Sequence, residues 1–335
     1  PPEFRLPEAY RIDVTSASDA EILDAVAALV EAYLRSLVFA RDDDGAFKGS
    51  PYDVFLRKNG LPRAPADGES ALDYGRRLLQ LLDGLAAPQF VSDEDGAFTA
   101  HDQAFVFGPA ELAGLKIFLR QPSATPPSPE ALAGGRIGNC IACHPPPAFT
   151  DFRFHNTGVA HEEYDAIHGA GAFAALAIPD LETRRANHDA YLPPTPQHPN
   201  AQGPFRDIPA RDRPGRTDLG LWNVSANLDF PKPQPRLQRL LCERRAPCLP
   251  RTLLPATIAL FKTPGLRDLG HSGPYFHTGR KDTFESVIGF YIAFAELARA
   301  GQVRNGAPEL QGIALTSADV APLSAFLRAL NEDYE

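Results

Sequence analysis

Apolar residues in the first third of the chain recur at helical spacing. Ser18-Asp19-Ala20-Glu21 sets a hydroxyl three positions before a carboxylate, the reciprocal capping pattern that opens a helix. Ile22, Val26, Leu29, Val30, Tyr33 and Leu37 then fall on one face of it. A Gly/Asp-rich turn follows at Asp42 to Gly45. A second helix is predicted over Glu69 to Gly84, with Leu72, Leu78, Leu79 and Leu82 apolar, and a third over Pro109 to Leu119, with Pro109 near its start where a missing N–H costs nothing.

The middle of the chain has no such period. Residues 121–130 are rich in proline and serine and read as an irregular loop, and Pro145-Pro146-Pro147 stops any helix. From about residue 162 to 255 the pattern predicts long surface loops with a few short turns. Order returns with Asp282 and Glu285, a capping pattern that opens a helix with Phe284, Ile288, Tyr291 and Ala295 on one face. Thr316 or Ser317 then caps a last helix with Val320, Leu323, Phe326, Leu327 and Leu330 inward. The pattern predicts a mainly α protein with long irregular proline-rich loops, few short strands and no internal repeat.

Length and charge narrow the class. A chain of 335 residues with 44% hydrophobic residues buries a sizeable core, as one large domain or two modest ones. Its net charge of −9 argues against nucleic acid, whose phosphates it would repel. The longest apolar run, Ile22 to Ala40, is interrupted by Asp24, Glu31 and Arg35, so no membrane-spanning helix is expected. The first residues, Pro1-Pro2-Glu3, lack a methionine and read as a processed or trimmed form.

The most informative stretch is Cys140-Ile141-Ala142-Cys143-His144, which spells C-x-x-C-H, the attachment sequence of a c-type haem. Two thiols three positions apart reach the two vinyl groups of one porphyrin, and the adjacent imidazole is presented to the iron. The remaining cysteines, Cys242 and Cys248, lie about a hundred residues away at a spacing unlike a zinc knuckle. Thioether attachment takes place outside the bacterial cytoplasm, so a periplasmic or otherwise exported protein is expected. There Cys242 and Cys248 either form a disulfide or remain as two buried thiols. The chain contains no methionine, which removes the commonest sixth ligand of an electron-carrying c haem. The distal side is left to His, Tyr, Lys, water or nothing.

Three further segments carry a resemblance. Ala148-Phe149-Thr150-Asp151-Phe152-Arg153-Phe154-His155-Asn156-Thr157-Gly158 follows the haem motif; Thr263-Pro264-Gly265-Leu266-Arg267-Asp268 and Ser272-Gly273-Pro274-Tyr275-Phe276-His277-Thr278-Gly279 come later. In this order they resemble the second, C-terminal haem domain of the bacterial di-haem cytochrome c peroxidase and MauG family. The chain departs from that pattern at Gly273, where alanine is usual, and over residues 162–255. The resemblance implies a cytochrome c-like helical haem domain over residues 109–335, carrying a divergent insertion at about 162–255. Residues 1–108 become an N-terminal helical segment packing on it.

The same resemblance implies roles. Cys140 and Cys143 hold the haem and His144 is the proximal ligand. Tyr291 stands where the family's sixth ligand stands, so His144 and Tyr291 are the metal ligands. His155 and His271 are alternative distal ligands. His277 lies close to the haem in an electron-transfer or hydrogen-bonding role. Arg267 reaches a haem propionate or, read as a surface residue, pairs with Asp268 or another acid. A calcium ion held partly by the carbonyls of Ser272 and Pro274 is a further implication. Trp222 reads as a packed aromatic, and His101, His161, His168, His188 and His198 as solvated surface. Family members carry a preceding domain with a first haem, whereas this chain has one C-x-x-C-H. Two functions follow: part of a peroxidase-type enzyme working with a second haem centre, or a non-catalytic monohaem electron carrier. Either implies a redox partner protein or a second haem-bearing chain. With Tyr291 closing its only sixth position, the polypeptide alone is expected to be a poor peroxidase.

Overall fold

The computed structural model describes residues 5–36, 38–243 and 248–333. Leu37, expected on the first helical stripe, lies outside the described residues. The helices are α1 (Asp19–Ser36), α2 (Pro51–Lys58), α3 (Ala71–Asp83), α4 (Pro109–Leu119), α5 (Pro129–Gly134), α6 (Val159–His168), α7 (Ala172–Ala175), α8 (Leu181–Ala186), α9 (His188–Tyr191), α10 (Gln234–Cys242), α11 (Pro250–Leu253), α12 (Phe284–Arg299) and α13 (Val320–Arg328). One two-stranded antiparallel ladder joins β1 (Phe154–His155) to β2 (Phe261–Lys262), with Phe154 opposite Lys262 and His155 opposite Phe261. The fold is mainly α, as expected.

The main core is built by α2, α3, α4, α12 and α13, so it draws on both sides of residue 108. Helices α4 and α13 lie against each other, and Gly114 permits it: a β-carbon there would collide with the Pro322 carbonyl and the Phe326 side chain. At the centre, Tyr52, Phe118, Phe149 and Phe326 meet edge to face with ring centroids 5.2 to 6.0 Å apart, the arrangement the ring quadrupoles favour.

Helix α2 is not predicted by the apolar pattern. Its start is set by Ser50, whose Oγ accepts the Asp53 N–H while the Asp53 carboxylate accepts the Ser50 N–H, with Pro51 at the first helical position. At the other end of the chain Thr283 caps α12 with Ser286, in place of the expected Asp282 and Glu285. Thr316 opens the last helical segment by pairing with Asp319, as one of the two expected caps.

Residues 156–260 leave the main core at β1 and return at β2. They carry α6 to α11 and a second core of Ala160, Tyr164, Phe173, Leu192, Phe205, Leu219, Trp222, Leu254 and Ile258. The expected loops over 162–255 are present, as at residues 199–219 and 224–233, but the reading of the segment as surface loops with a few short turns is corrected by its helices and core. The apolar side chains come from short helices and turns, too brief to show a period, yet they close a core. Trp222 is fully buried in it, under the Arg184 guanidinium and edge-on to Phe205. Cys242 and Cys248 form a disulfide, Cα to Cα 5.5 Å.

Helix α1 forms as predicted, with the Ser18–Glu21 box intact. Its stripe has no buried residue, and Val26, Val30 and Tyr33 are exposed. No helix among the described residues is long and apolar enough to cross a membrane.

Candidate functional site

The C-x-x-C-H motif is a single tight turn. Residues Cys140–Ala142 form one 3-10 turn, entered through Asn139 at φ 51°. The left-handed position is held by its own side chain, which donates to the Glu309 carbonyl at 2.9 Å, while its N–H donates to the Arg120 carbonyl. The Gly138 N–H donates to the Ile117 carbonyl, so the turn hangs on the C-terminal end of α4. Ile141 points into the main core and is fully buried. Cys140 and Cys143 are half-buried and not disulfide-bonded. Burial pushes the Cys140 thiol up to about 12, so it stays protonated in the unmodified chain.

His144 follows with its N–H on the Cys140 carbonyl at 2.8 Å. Its Nδ1 lies 2.9 Å from the carbonyl oxygen of Phe149. A carbonyl only accepts, so Nδ1 carries the proton and the lone pair sits on Nε2, where a metal would find it. Phe149 is itself immobilised: its ring is fully buried in the aromatic centre and its φ is 54°. Burial holds the His144 pKa below its ordinary value, with the Phe149 carbonyl and Asp151 acting in the opposite direction. The imidazole is neutral and oriented, which is what ligation requires.

Tyr291 projects from α12 towards the same turn. Its phenol is pushed well above its ordinary value, by burial first and then by the Cys143 and Cys140 thiols, while Thr157 stands within hydrogen-bonding reach. The rings of Phe276 and Phe290 flank it. Two thiols, a neutral imidazole with its lone pair on Nε2 and a buried phenol thus converge. This donor set fits a c-type haem.

The other expected residues are placed differently. Arg267 is buried, not on the surface, and its partner is Asp53 rather than Asp268. Nη1 and Nη2 donate to the two carboxylate oxygens at 2.9 Å each, and Nε donates to the Pro147 carbonyl at 2.9 Å. It clamps the segment after the haem motif onto α2. Asp268 instead takes His101 at 2.7 Å and His271 at 3.0 Å. Ser272 and Pro274 lie on an exposed turn, and Asp268, the preceding carboxylate in sequence, is engaged by those two imidazoles. His277 is exposed and stacks on Phe261 with ring centroids 3.5 Å apart.

His155 sits beside Cys143. The ligand atoms of Cys143, His155 and Glu309 lie within 4.8 Å of one another, and His155 Nε2 bonds the Asp151 carboxylate at 2.8 Å. Burial alone would raise Asp151, but its hydrogen bond to His155 leads the contacts that bring its pKa below the ordinary value. Asp151 and Glu309 are not found by sequence reasoning as members of this site. Asp151 is visible in the motif Phe149-Thr150-Asp151, whereas Glu309 comes from a distant turn and leaves no local signal. His101 and His161, expected on solvated surface, are buried, and His188 is half-buried.

The chain is 26% identical over 194 residues to the cytochrome-c peroxidase IdrP2 of Denitromonas iodatirespirans, a match covering 58% of this chain and 36% of that protein. It is 25% identical over 205 residues to the cytochrome-c peroxidase IdrP1 of the same organism, covering 60% and 39%. The chain therefore spans less than two-fifths of the length of these relatives. No family model matches it.

Proposed function

We propose that the chain, similar at about a quarter identity to two cytochrome-c peroxidases, is of the bacterial cytochrome c peroxidase-like family, an exported, periplasmic c-type haem protein whose single haem passes electrons to or from a partner haem or redox protein. Cys140 and Cys143 hold the porphyrin through thioethers, His144 is the proximal ligand and Tyr291 the sixth. Bound haem c supplies one-electron chemistry at its iron.

The observation that carries this reading is the His144–Phe149 hydrogen bond beside two thiols that are not bonded to each other. A redox dithiol has no need of an adjacent imidazole with its tautomer fixed, and the sequence has no second C-x-x-C pair to complete a four-cysteine zinc site. Thioether formation removes both ionisable thiols, and with them their upward push on the Tyr291 phenol. Loss of the Tyr291 proton is then opposed chiefly by burial, while the Thr157 hydroxyl supports the anion.

A surface route supports the transfer role. His277 stacks on Phe261, Phe261 pairs with His155 across the short ladder, and His155 lies against Cys143. A partner docking at His277 would meet a continuous line of aromatic and imidazole groups leading to the thioether edge.

Peroxidase activity belongs to this proposal only together with a second haem centre, since Tyr291 occupies the sixth position and the chain has one C-x-x-C-H. The same assignment of Tyr291 and the lone C-x-x-C-H favour, as second reading, a monohaem electron carrier in a larger redox complex. Stopped-flow mixing of the ferrous protein with an oxidised c-type cytochrome, and separately of the ferric protein with hydrogen peroxide, tests the role. Fast oxidation by the cytochrome with negligible peroxide turnover is expected. Sustained peroxide turnover by the isolated chain would contradict it.

A further inference from the structure

We infer that His188, His198 and Asp229 form a binding site for a divalent first-row transition cation, zinc being the simplest occupant, which ties together three loops of the second core. The site lies on the lobe between β1 and β2, apart from the haem turn.

The three residues come from separate stretches. His188 opens α9, His198 closes a turn whose backbone bonds run both ways with Thr195, and Asp229 stands on the loop after Trp222. Their ligand atoms lie within 4.8 Å of one another. His198 Nδ1 is 2.8 Å and His188 Nε2 3.3 Å from the same oxygen, Oδ2 of Asp229, and the two rings stack with centroids 3.6 Å apart. Ligands about 2.0–2.1 Å from a tetrahedral zinc stand roughly 3.3 Å apart, close to this spacing.

The decisive atom is His188 Nε2. It is buried, it points at a carboxylate oxygen, and neither nitrogen of this ring makes a hydrogen bond. A buried ring nitrogen left without a hydrogen bond costs free energy, and a cation between Nε2 and Oδ2 removes that cost. Two imidazoles and one carboxylate suit zinc, copper or nickel rather than calcium or magnesium, which favour oxygen alone. One coordination position remains for water.

The cluster His101–Asp268–His271 makes the contrast. There Asp268 accepts from one imidazole on each oxygen, and His101 also bonds the Glu332 carbonyl. That group satisfies itself through hydrogen bonds. In the other group His198 Nδ1 and the Thr195 hydroxyl bond Asp229 Oδ2, and His188 alone is left without a hydrogen bond. The lobe it serves runs through long stretches without helix or strand, such as residues 199–219 and 224–233, where a cation linking three loops stabilises most.

The test is zinc titration of the chelator-treated haem protein by calorimetry, alongside its melting temperature. One equivalent of zinc per chain is expected, with a rise in melting temperature as zinc is added. His198→Gln, chosen because its ring is partly exposed and least tied to folding, should weaken zinc by roughly a hundredfold and abolish the rise. Asp229→Asn should do the same, with the haem absorbance as the check on folding; if that variant does not fold, His198→Gln decides. A parent that binds zinc no more tightly than His198→Gln overturns the inference.

Discussion

The carbonyl oxygen of Phe149 accepts the Nδ1 proton of His144 across 2.9 Å. Phe149 is held by Tyr52, Phe118 and Phe326, so the orientation of the proximal imidazole is set by the main hydrophobic core. His144→Ala should therefore keep the haem through both thioethers but lose its proximal ligand. Its ferric optical spectrum should change, and added imidazole should restore it. A variant with the parent's spectrum would count against ligation by His144.

Tyr291→Phe removes the phenol oxygen and leaves the ring between Phe276 and Phe290. Because a phenolate stabilises ferric iron, the variant should show altered ferric optical and electron paramagnetic resonance spectra and a higher reduction potential. Spectra unchanged from the parent would remove Tyr291 as sixth ligand.

Arg267 and Asp53 form a two-pronged ion pair with both side chains almost wholly out of water. Removing one partner strands a buried charge, so Asp53→Ala should cost about 3–5 kcal/mol in urea unfolding. Replacing both with apolar residues of similar size should cost less than either single change. A loss below about 1 kcal/mol for Asp53→Ala would show that the pair is not closed in solution.

Glu332 gives a pH signature. Burial first, then the neighbouring Asp53 and Asp268, push its carboxyl up from 4.5 to about 7, against the pull of Arg267. The native state thus binds a proton that the unfolded chain releases above 4.5. The contribution of this group to stability is fully present below 4.5, falls as pH rises to about 7, and is flat beyond. Glu332→Gln imitates the neutral acid. It should melt above the parent at pH 8, with the difference closing towards pH 5. A difference independent of pH would contradict the shift.

The haem motif and the helices ending in Leu119 and Arg328 are legible in the sequence because their signals are local: a fixed spacing, a proline at the start of α4, a capping threonine, a stripe of period 3.6. Helix α2 escapes because its capping box uses Asp53 where glutamate or glutamine is usual, and because it is only eight residues long. The second core escapes because side chains such as Phe205, Leu219 and Trp222 reach it from turns that have no period. The helix α1 teaches the converse. Its stripe predicts the helix and its face, but what covers that face is not encoded in the period. The ion partner of Arg267 and the surroundings of His188 are long-range relationships, invisible until the chain is folded.

Intact mass of the acid–acetone-treated, denatured protein shows whether a haem is covalently held. The expected product is a polypeptide heavier by one haem, with the colour retained and with the added mass mapping to the peptide that carries Cys140 and Cys143. A colourless chain at the mass of the bare polypeptide would contradict it.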